Sequence, residues 1–235
     1  MGDLNQLTYI CSKAERFAPP YLEVGSRRYG STPDLRSAFC ERGEYVGVDL
    51  APGAGVDRVV DFAASWEDVD AALEGRRFGS VFCLSVLEHC EQPFRMAENI
   101  TRLLTPGGTA CIGAPFAWKF HGYPSDYWRF THEGVKKLFP DLTFDMDQAV
   151  LATERDHELL PIDEDLGRIQ FSFSAQRRRG HPLQAVAAAV LKLLARAGGL
   201  RWLAGHRYLL VPANLLMIGV KPSGPSEASP TLART

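Results

Sequence analysis

The sequence predicts an α/β fold: a Rossmann-like, mostly parallel sheet of seven strands with helices on both faces. Three observations carry that expectation. From Tyr21 to Val220 short apolar runs alternate with helical patterns, the rhythm of strand–helix–strand units. At 235 residues the chain suits one large domain better than two. Apolar residues at 46% and charged residues at 23% lie near the globular norm, which excludes wholesale disorder and fibrous rods. Residues 1–221 read as a single domain with 152–214 inserted late in it, and 222–235 as a disordered tail rich in Pro, Ser and Ala.

Each element has its own signal. Tyr21-Leu22-Glu23-Val24 is short, largely apolar and closed by Gly25, as a first strand should be. Ser31-Thr32-Pro33-Asp34 joins hydroxyl caps to an early proline and starts a helix, which Gly43 breaks. Tyr45-Val46-Gly47-Val48 is strand two, ending at Asp49, and Arg58-Val59-Val60 is a short strand three, ending at Asp61. Val81 to Ser85 is strand four. A helix from about Pro93 carries Phe94, Ala97, Ile100, Leu103 and Leu104 at helical spacing until Thr105-Pro106-Gly107-Gly108 stops it. Thr109 to Ala114 is strand five.

After strand five the rhythm changes. Residues 115–131 form a loop dense in aromatics, glycine and proline, and a helix from about Thr131 to Phe139 follows. A further strand lies within Leu142 to Leu151, and residues 152–181 are polar with no clear period. Pro182 to Ala197 is an Ala/Leu-rich helix closed by Gly198-Gly199, and Leu215 to Val220 is the last strand. That helix sets Leu183, Val186, Ala187, Val190, Leu194 and Ala197 at helical spacing, for core packing by default and for a membrane surface or partner otherwise.

Charge and cysteine usage narrow the function class. Twenty-six basic and 28 acidic side chains leave a net charge of −2, without the broad basic field of a nucleic-acid binder. The odd set of five cysteines, Cys11, Cys40, Cys83, Cys90 and Cys111, contains no C-x-x-C pair, unlike a disulfide framework or zinc knuckle. The first residues lack a basic, apolar leader, and no apolar run approaches the ~20 residues a transmembrane helix needs. A reducing, cytoplasmic setting is expected.

In an open parallel sheet, ligands bind beyond the carboxyl ends of the strands. Those ends are Gly25-Ser26, Asp49-Leu50, Asp61-Phe62, Ser85 and Pro115-Phe116. Gly25 permits close backbone approach to a ligand. Asp49 stands near the spacing at which a carboxylate accepts from both hydroxyls of a ribose. Asp61 with Phe62 suits an adenine, the carboxylate taking amino protons and the ring offering an apolar face; Asp61 reads equally well as a helix cap.

Together these residues resemble the class I S-adenosylmethionine-dependent methyltransferases. The carrying stretches are Leu22-Glu23-Val24-Gly25-Ser26, Tyr45-Val46-Gly47-Val48-Asp49, Leu84-Ser85-Val86-Leu87-Glu88-His89 and Leu103-Leu104-Thr105-Pro106-Gly107-Gly108, followed by His121 through Asp126-Tyr127-Trp128-Arg129-Phe130-Thr131. The last three are similar to a subgroup associated with small metabolites and glycans. The resemblance implies S-adenosylmethionine as cofactor, held by Glu23, Gly25, Ser26, Asp49, Leu50, Asp61, Phe62 and Ser85. It also implies methylation of a hydroxyl on a sugar or similar small polar metabolite. The glycine loop departs from the family's acidic-x-Gly-x-Gly-x-Gly pattern: Arg27 and Tyr29 stand at the later glycine positions and Gly30 comes one residue late. A β-carbon there obstructs close approach unless the loop swings wider, and Pro52-Gly53-Ala54-Gly55 offers compensating freedom.

Methyl transfer is an in-line displacement at a sulfonium, so positioning does much of the work. A hydroxyl acceptor must also lose its proton, and histidine suits that task. His89 after strand four and His121 in the loop after strand five are the candidate bases, with Asp126 to orient one of them. Phe116, Tyr127 and Trp128 wall an acceptor pocket, and Arg129 binds an acidic group or pairs with Asp126. His89 as a helix cap and the Asp126–Phe130 stretch as a packing clamp are the alternative readings. Glu88, His89, His121 and Asp126 also compose a donor set for a divalent metal that would acidify an acceptor hydroxyl, though no ligand spacing enforces it. The segment 152–214 falls to acceptor or oligomer contacts. Arg177-Arg178-Arg179 reads as a solvated face or an anion contact. His132, His157, His181 and His206 read as solvated or packed. Two rivals stand beside this reading: a nicotinamide-linked oxidoreductase using Asp49 on the ribose, and a catalytically silent module of the same fold that engages a partner or membrane.

Overall fold

The structure, a computed structural model, describes residues 4–30, 34–122, 124–155, 157–163, 166–170, 173–178, 180–198 and 208–224. Its five parallel strands are β1 (Tyr21–Val24), β2 (Tyr45–Asp49), β3 (Arg58–Val59), β4 (Phe78–Leu84) and β5 (Leu104–Ala117). The later strands are β6 (Thr143–Phe144), β7 (Val150–Thr153), β8 (Leu159–Pro161), β9 (Arg168–Gln170), β10 (Tyr208–Leu210) and β11 (Ala213–Val220). The main sheet has nine strands in the order β3-β2-β1-β4-β5-β11-β7-β8, with β6 also pairing β11; β9 and β10 form a separate ribbon. Strand β11 runs antiparallel to both β5 and β7. A dinucleotide fold would instead continue from strand five with another parallel strand.

Among the described residues, seven α-helices accompany the strands: α1 (Leu4–Ser12), α2 (Leu35–Phe39), α3 (Trp66–Ala72), α4 (Pro93–Leu103), α5 (His132–Leu138), α6 (Phe173–Arg178) and α7 (Pro182–Ala197). The period of two along each strand sorts the side chains to the two faces of the sheet. Val81 and Cys83 of β4 join Leu22, Val24, Val46 and Val48 under α3 and α4. Phe82 and Leu84 join Tyr21 and Tyr45 on the opposite face, against α1 and α2. There Phe39 stands 5.1 Å from both Tyr21 and Phe82, ring centre to ring centre. Such contacts add to area burial for offset and edge-on rings.

Several boundaries differ from expectation for visible reasons. The α2 helix begins only at Leu35, with Asp34 as its N-cap; residues 31–33 lie outside the described set. Thr105-Pro106-Gly107-Gly108 ends α4 as expected, yet belongs to an extended β5, because Gly107 and Gly108 exchange backbone bonds with Lys221 beside them. The single strand expected within 142–151 is two, separated by a turn at Met146–Gln148. Helix α7 spans the expected residues, but its periodic face is not in the core. Only Ala185, Ala188 and Ala195 are buried, while Leu183, Val186, Val190 and Leu194 are exposed. Among the described residues no helix is long and apolar enough to cross a membrane.

Helix α1 precedes every element read from the sequence, and it covers the strand ends. Asn5 donates to the carbonyls of Thr153 and Arg155 at 2.8 and 2.7 Å and accepts from the His157 amide. Gln6 Nε2 donates to Ser85 Oγ at 3.1 Å. Its alternation of Asn, Gln and Thr with apolar residues gave little periodic signal, because its buried polar groups serve as hydrogen-bond partners.

Candidate active site

The chain connections diverge at β1, which lies between β2 and β4, so a crevice opens above its carboxyl end. Gly25 sits there at φ +77°, where a β-carbon would come within 2.3 Å of Val86 Cγ2. Its amide and that of Ser26 both donate to the Val48 carbonyl. Ser26 is buried, and its Oγ has no hydrogen-bond partner among the described residues. Asp49, at the next strand end, accepts from the backbone amides of Arg27 and Ala51. That contact holds the departing loop against β2, while Arg27 packs its guanidinium over the Tyr29 ring. Ser85, ending β4, has a strained φ of +54°, a conformation that collects at functional sites.

The remaining strand-end residues sort by burial. Asp61 Oδ1 accepts from the Ala63 amide at 2.8 Å in a tight turn, and Phe62 lies buried in the core rather than open in the crevice. Leu50, at 65% exposure, is the apolar side chain that β2 leaves open to solvent. Glu23 points away from that rim and accepts from Tyr45 Oη at 2.8 Å, and burial raises its pKa above the usual carboxylate value.

The chemistry gathers on the other side of Ser85. A 3-10 turn at Leu87–His89 follows β4, anchored by the fully buried Leu87. The loop after β5 folds back over this turn. The Tyr127 amide donates to the Glu88 carbonyl, Trp128 Nε1 to the Cys90 carbonyl and Tyr127 Oη to Glu91, each at 2.8 Å. Within that loop Arg129 grips both oxygens of Asp126, at 2.5 and 2.8 Å, and donates to the Trp118 and Lys119 carbonyls. The first effect of that grip is to hold the Asp126 carboxyl well below its ordinary pKa. Asp126, its side chain shielded from solvent, in turn accepts from the His121 amide at 2.8 Å and faces His121 Nδ1 at 3.2 Å.

Glu88, His89 and His121 thereby meet. His89 Nε2 lies 3.9 Å and His121 Nε2 4.0 Å from the same oxygen of Glu88, and the two imidazoles stand edge to face, 5.0 Å apart at their centres. His89 Nδ1 sits 2.5 Å from the Ser125 carbonyl, which fixes that ring's tautomer and direction. Glu88 is 1% exposed, and neither of its carboxylate oxygens has a hydrogen-bond partner among the described residues. Burial raises its pKa to about 7, and burial lowers that of His89.

The structure brings His89, His121 and Asp126 together, with Tyr127 and Trp128 half exposed beside them and Arg129 paired with Asp126. Phe116 packs against the core at the end of β5. Tyr123 lies outside the described residues. Sequence reasoning placed Glu88 only in the metal reading and passed over Gln6. Glu88 lies beside a histidine in a motif, but nothing in the sequence signals that it faces inward.

A parallel sheet with a switch-point crevice and an antiparallel strand beside strand five defines an open α/β fold whose ligand site is expected at that crevice. Residues 22–112 match the family model described as a methyltransferase domain. Among solved structures, the chain is similar to YcgJ from Bacillus subtilis, at TM-score 0.53 and 15% identity over 93% of this chain and 99% of that one. It is similar also to a SAM-dependent methyltransferase from Archaeoglobus fulgidus, at 0.52 and 15% over 92% of each chain. The N-methyltransferase NodS from Bradyrhizobium japonicum WM9, solved with S-adenosyl-L-homocysteine, aligns at 0.50 and 12% over 92% of this chain and 84% of that one. No curated protein matches the sequence. Residues 22–112 thus carry the match to a methyltransferase domain, and the chain shares the fold of these solved structures. That match favours the methyltransferase reading over the nicotinamide one.

Proposed function

We propose that this protein is an O-methyltransferase acting on a hydroxyl of a sugar or similar small polar metabolite. The observation that carries the reading is the His89–His121 pair, with both Nε2 atoms turned to the buried Glu88 beside the β4 strand end. Imidazoles so placed accept a hydroxyl proton, and Glu88 favours the imidazolium that results. Asp126 and the Ser125 carbonyl orient the two rings from behind. The exposed faces of Tyr127 and Trp128 beside them suit the C–H faces of a pyranose or a similar ring. Five free cysteines support a reducing, cytoplasmic setting.

S-adenosylmethionine, when bound, would supply an electrophilic methyl group on a sulfonium. The buried Ser26 Oγ, without a hydrogen-bond partner among the described residues, fits a polar group of such a ligand, and we assign cofactor binding to Glu23, Gly25, Ser26, Asp49, Leu50, Asp61, Phe62 and Ser85. Within that set, Asp49 is placed for ribose hydroxyls, and Glu23 acts by fixing β1 through Tyr45. Transfer of labelled methyl to a panel of glycosides is the test. Changing both His89 and His121 to Ala should lower turnover by roughly 10²–10⁴ while S-adenosylhomocysteine affinity holds, the usual range for a lost general base. Unchanged turnover, or methylation only of amines or carbon acids, overturns the reading.

A further inference from the structure

We infer that Glu88, His89 and His121 form a binding site for a divalent transition cation of the zinc–manganese class. Their donor atoms, one carboxylate oxygen and two imidazole nitrogens, lie within 4.8 Å of one another. Two segments distant in sequence supply them, so the juxtaposition is made by the fold. Zinc bonds of ~2.0–2.2 Å to such donors set tetrahedral neighbours about 3.3–3.5 Å apart. The observed 3.9 and 4.0 Å come within about half an ångström of that, a small side-chain rotation.

Three features separate this cluster from an ordinary polar contact. Glu88 is 1% exposed, with both oxygens unpartnered among the described residues and one of them between the imidazoles. A buried carboxylate without a side-chain hydrogen bond is costly, and a cation held between it and the two imidazoles would offset that cost. The ring nitrogens away from the cluster face acceptors: His89 Nδ1 the Ser125 carbonyl, His121 Nδ1 the Asp126 carboxylate and the Lys119 carbonyl at 3.3 Å. That pattern places protons on Nδ1 and directs Nε2 inward, as outer-shell partners of metal-bound histidines do. Finally, His89 and His121 keep 15% and 23% of their side chains exposed, so the site opens on the side where an acceptor would arrive. Three protein ligands with an open position is the form of catalytic rather than structural sites.

The inference does not depend on the sugar reading, though it changes how the proton leaves. With both Nε2 atoms on the cation, the cation would lower the pKa of an acceptor hydroxyl, and the proton would leave to solvent at the open side of the site rather than to an imidazole. Cobalt(II) added to the full chain is the probe, because it reports its own coordination by visible absorption. One equivalent should give d–d bands, displaced by zinc and weakened roughly a hundredfold or more in affinity by Glu88→Gln or His121→Ala. His132→Ala should leave them unchanged. If Glu88→Gln does not fold, His121→Ala, on a surface loop, decides alone. Equal cobalt binding by wild type and His121→Ala, or no bands at all, overturns the site. Cobalt binding without any hydroxyl methylation would sink the sugar reading and leave the site standing. Histidine-dependent methylation that survives chelation, without cobalt binding, would do the reverse.

A second observation, independent of this site, concerns α7. Its outward face carries Leu183, Leu193 and Leu194 at 85%, 67% and 62% exposure, together with Val186 and Val190, while its small Ala185, Ala188 and Ala195 face inward. From Leu166 to Ser226 the sequence has nine basic residues and no acidic one, in a chain whose overall charge is −2. Arg177 and Arg178 are exposed on the adjoining α6, and Lys192 and Arg196 lie along α7. The charged side chains of α6 and α7 are all basic, and an apolar face beside them fits the surface of an anionic bilayer, where leucines enter the acyl boundary and basic side chains reach the headgroups. A second copy of the chain would instead bring like charges together. We propose that α7 docks this protein on anionic lipid.

The test is co-sedimentation of the full chain with vesicles of phosphatidylcholine alone or with phosphatidylglycerol. Binding should need the anionic lipid, weaken with salt, and fall about tenfold for each of Leu183→Asp and Leu194→Asp. Binding equal on both vesicles, or unchanged in the variants, overturns the proposal. Self-association in sedimentation equilibrium that the same variants abolish would overturn it in favour of a dimer face.

Discussion

Glu23 and Glu88 show how burial can be used twice with different results. Each carboxyl has its pKa raised by burial, but Glu23 accepts a hydrogen bond from the Tyr45 hydroxyl while Glu88 only faces the imidazoles of His89 and His121 at about 4 Å. For Glu23 this predicts a pH effect on stability. An acid with a raised folded-state pKa binds its proton more tightly when folded, so its contribution is fully present below the unfolded value of ~4.3 and is lost as pH rises through the folded one. Glu23→Gln keeps an acceptor for Tyr45 but cannot ionise. Relative to wild type it should gain stability as pH rises from about 4 to 7, measured by urea unfolding. A constant difference between the two proteins across that range would mean Glu23 is not desolvated as described.

At the scale of elements, the β1–β2 rim and the turn after β4 are locked together through Gly25. A side chain there pays twice, in a left-handed φ and in a contact of 2.3 Å with Val86. Gly25→Ala should destabilise the fold by about 2 kcal/mol or more and weaken S-adenosylhomocysteine binding. Adding Val86→Ala should relieve the collision but not the dihedral strain, so calorimetry of the double variant should show partial recovery. Full recovery would mean the conformation costs nothing; no recovery would remove Val86 from the account. The motif around Gly25 was readable, because glycine after a strand is a local signal. The replacement of later glycines by Arg27 and Tyr29 was equally readable, but its remedy was not. The loop is held by the Arg27 amide on Asp49, a contact across two strands.

For the whole molecule, ligand binding is the direct gauge of the fold's purpose. S-adenosylhomocysteine at a hundred times its dissociation constant should stabilise the native state by ~2.7 kcal/mol, a rise in Tm of roughly 5–10 °C for a domain of this size. A nicotinamide nucleotide at the same concentration should give none. Thermal unfolding with each ligand separates the outcomes, and no response to S-adenosylhomocysteine would mean that the altered glycine loop has cost the domain its cofactor. Leu183→Ser, on the exposed face of α7, should leave Tm within error, since it removes no core contact.

By itself the sequence determined the parallel strands, most helix positions and the motif residues at the strand ends. These rest on local physics: a period of two or 3.6, caps, and glycine or proline stops. The tertiary structure decided the rest. It alone laid α1 over the strand ends, because that helix is marked by hydrogen bonds from Asn5 and Gln6 rather than by an apolar stripe. It turned the leucines of α7 outward, since a periodic stripe shows that a helix has an apolar face and not what lies against it. It also folded the loop after β5 onto the turn after β4, so that His121, Asp126 and Glu88 meet. Contacts between distant segments depend on how loops close over a finished sheet, and no pattern local to either segment encodes them.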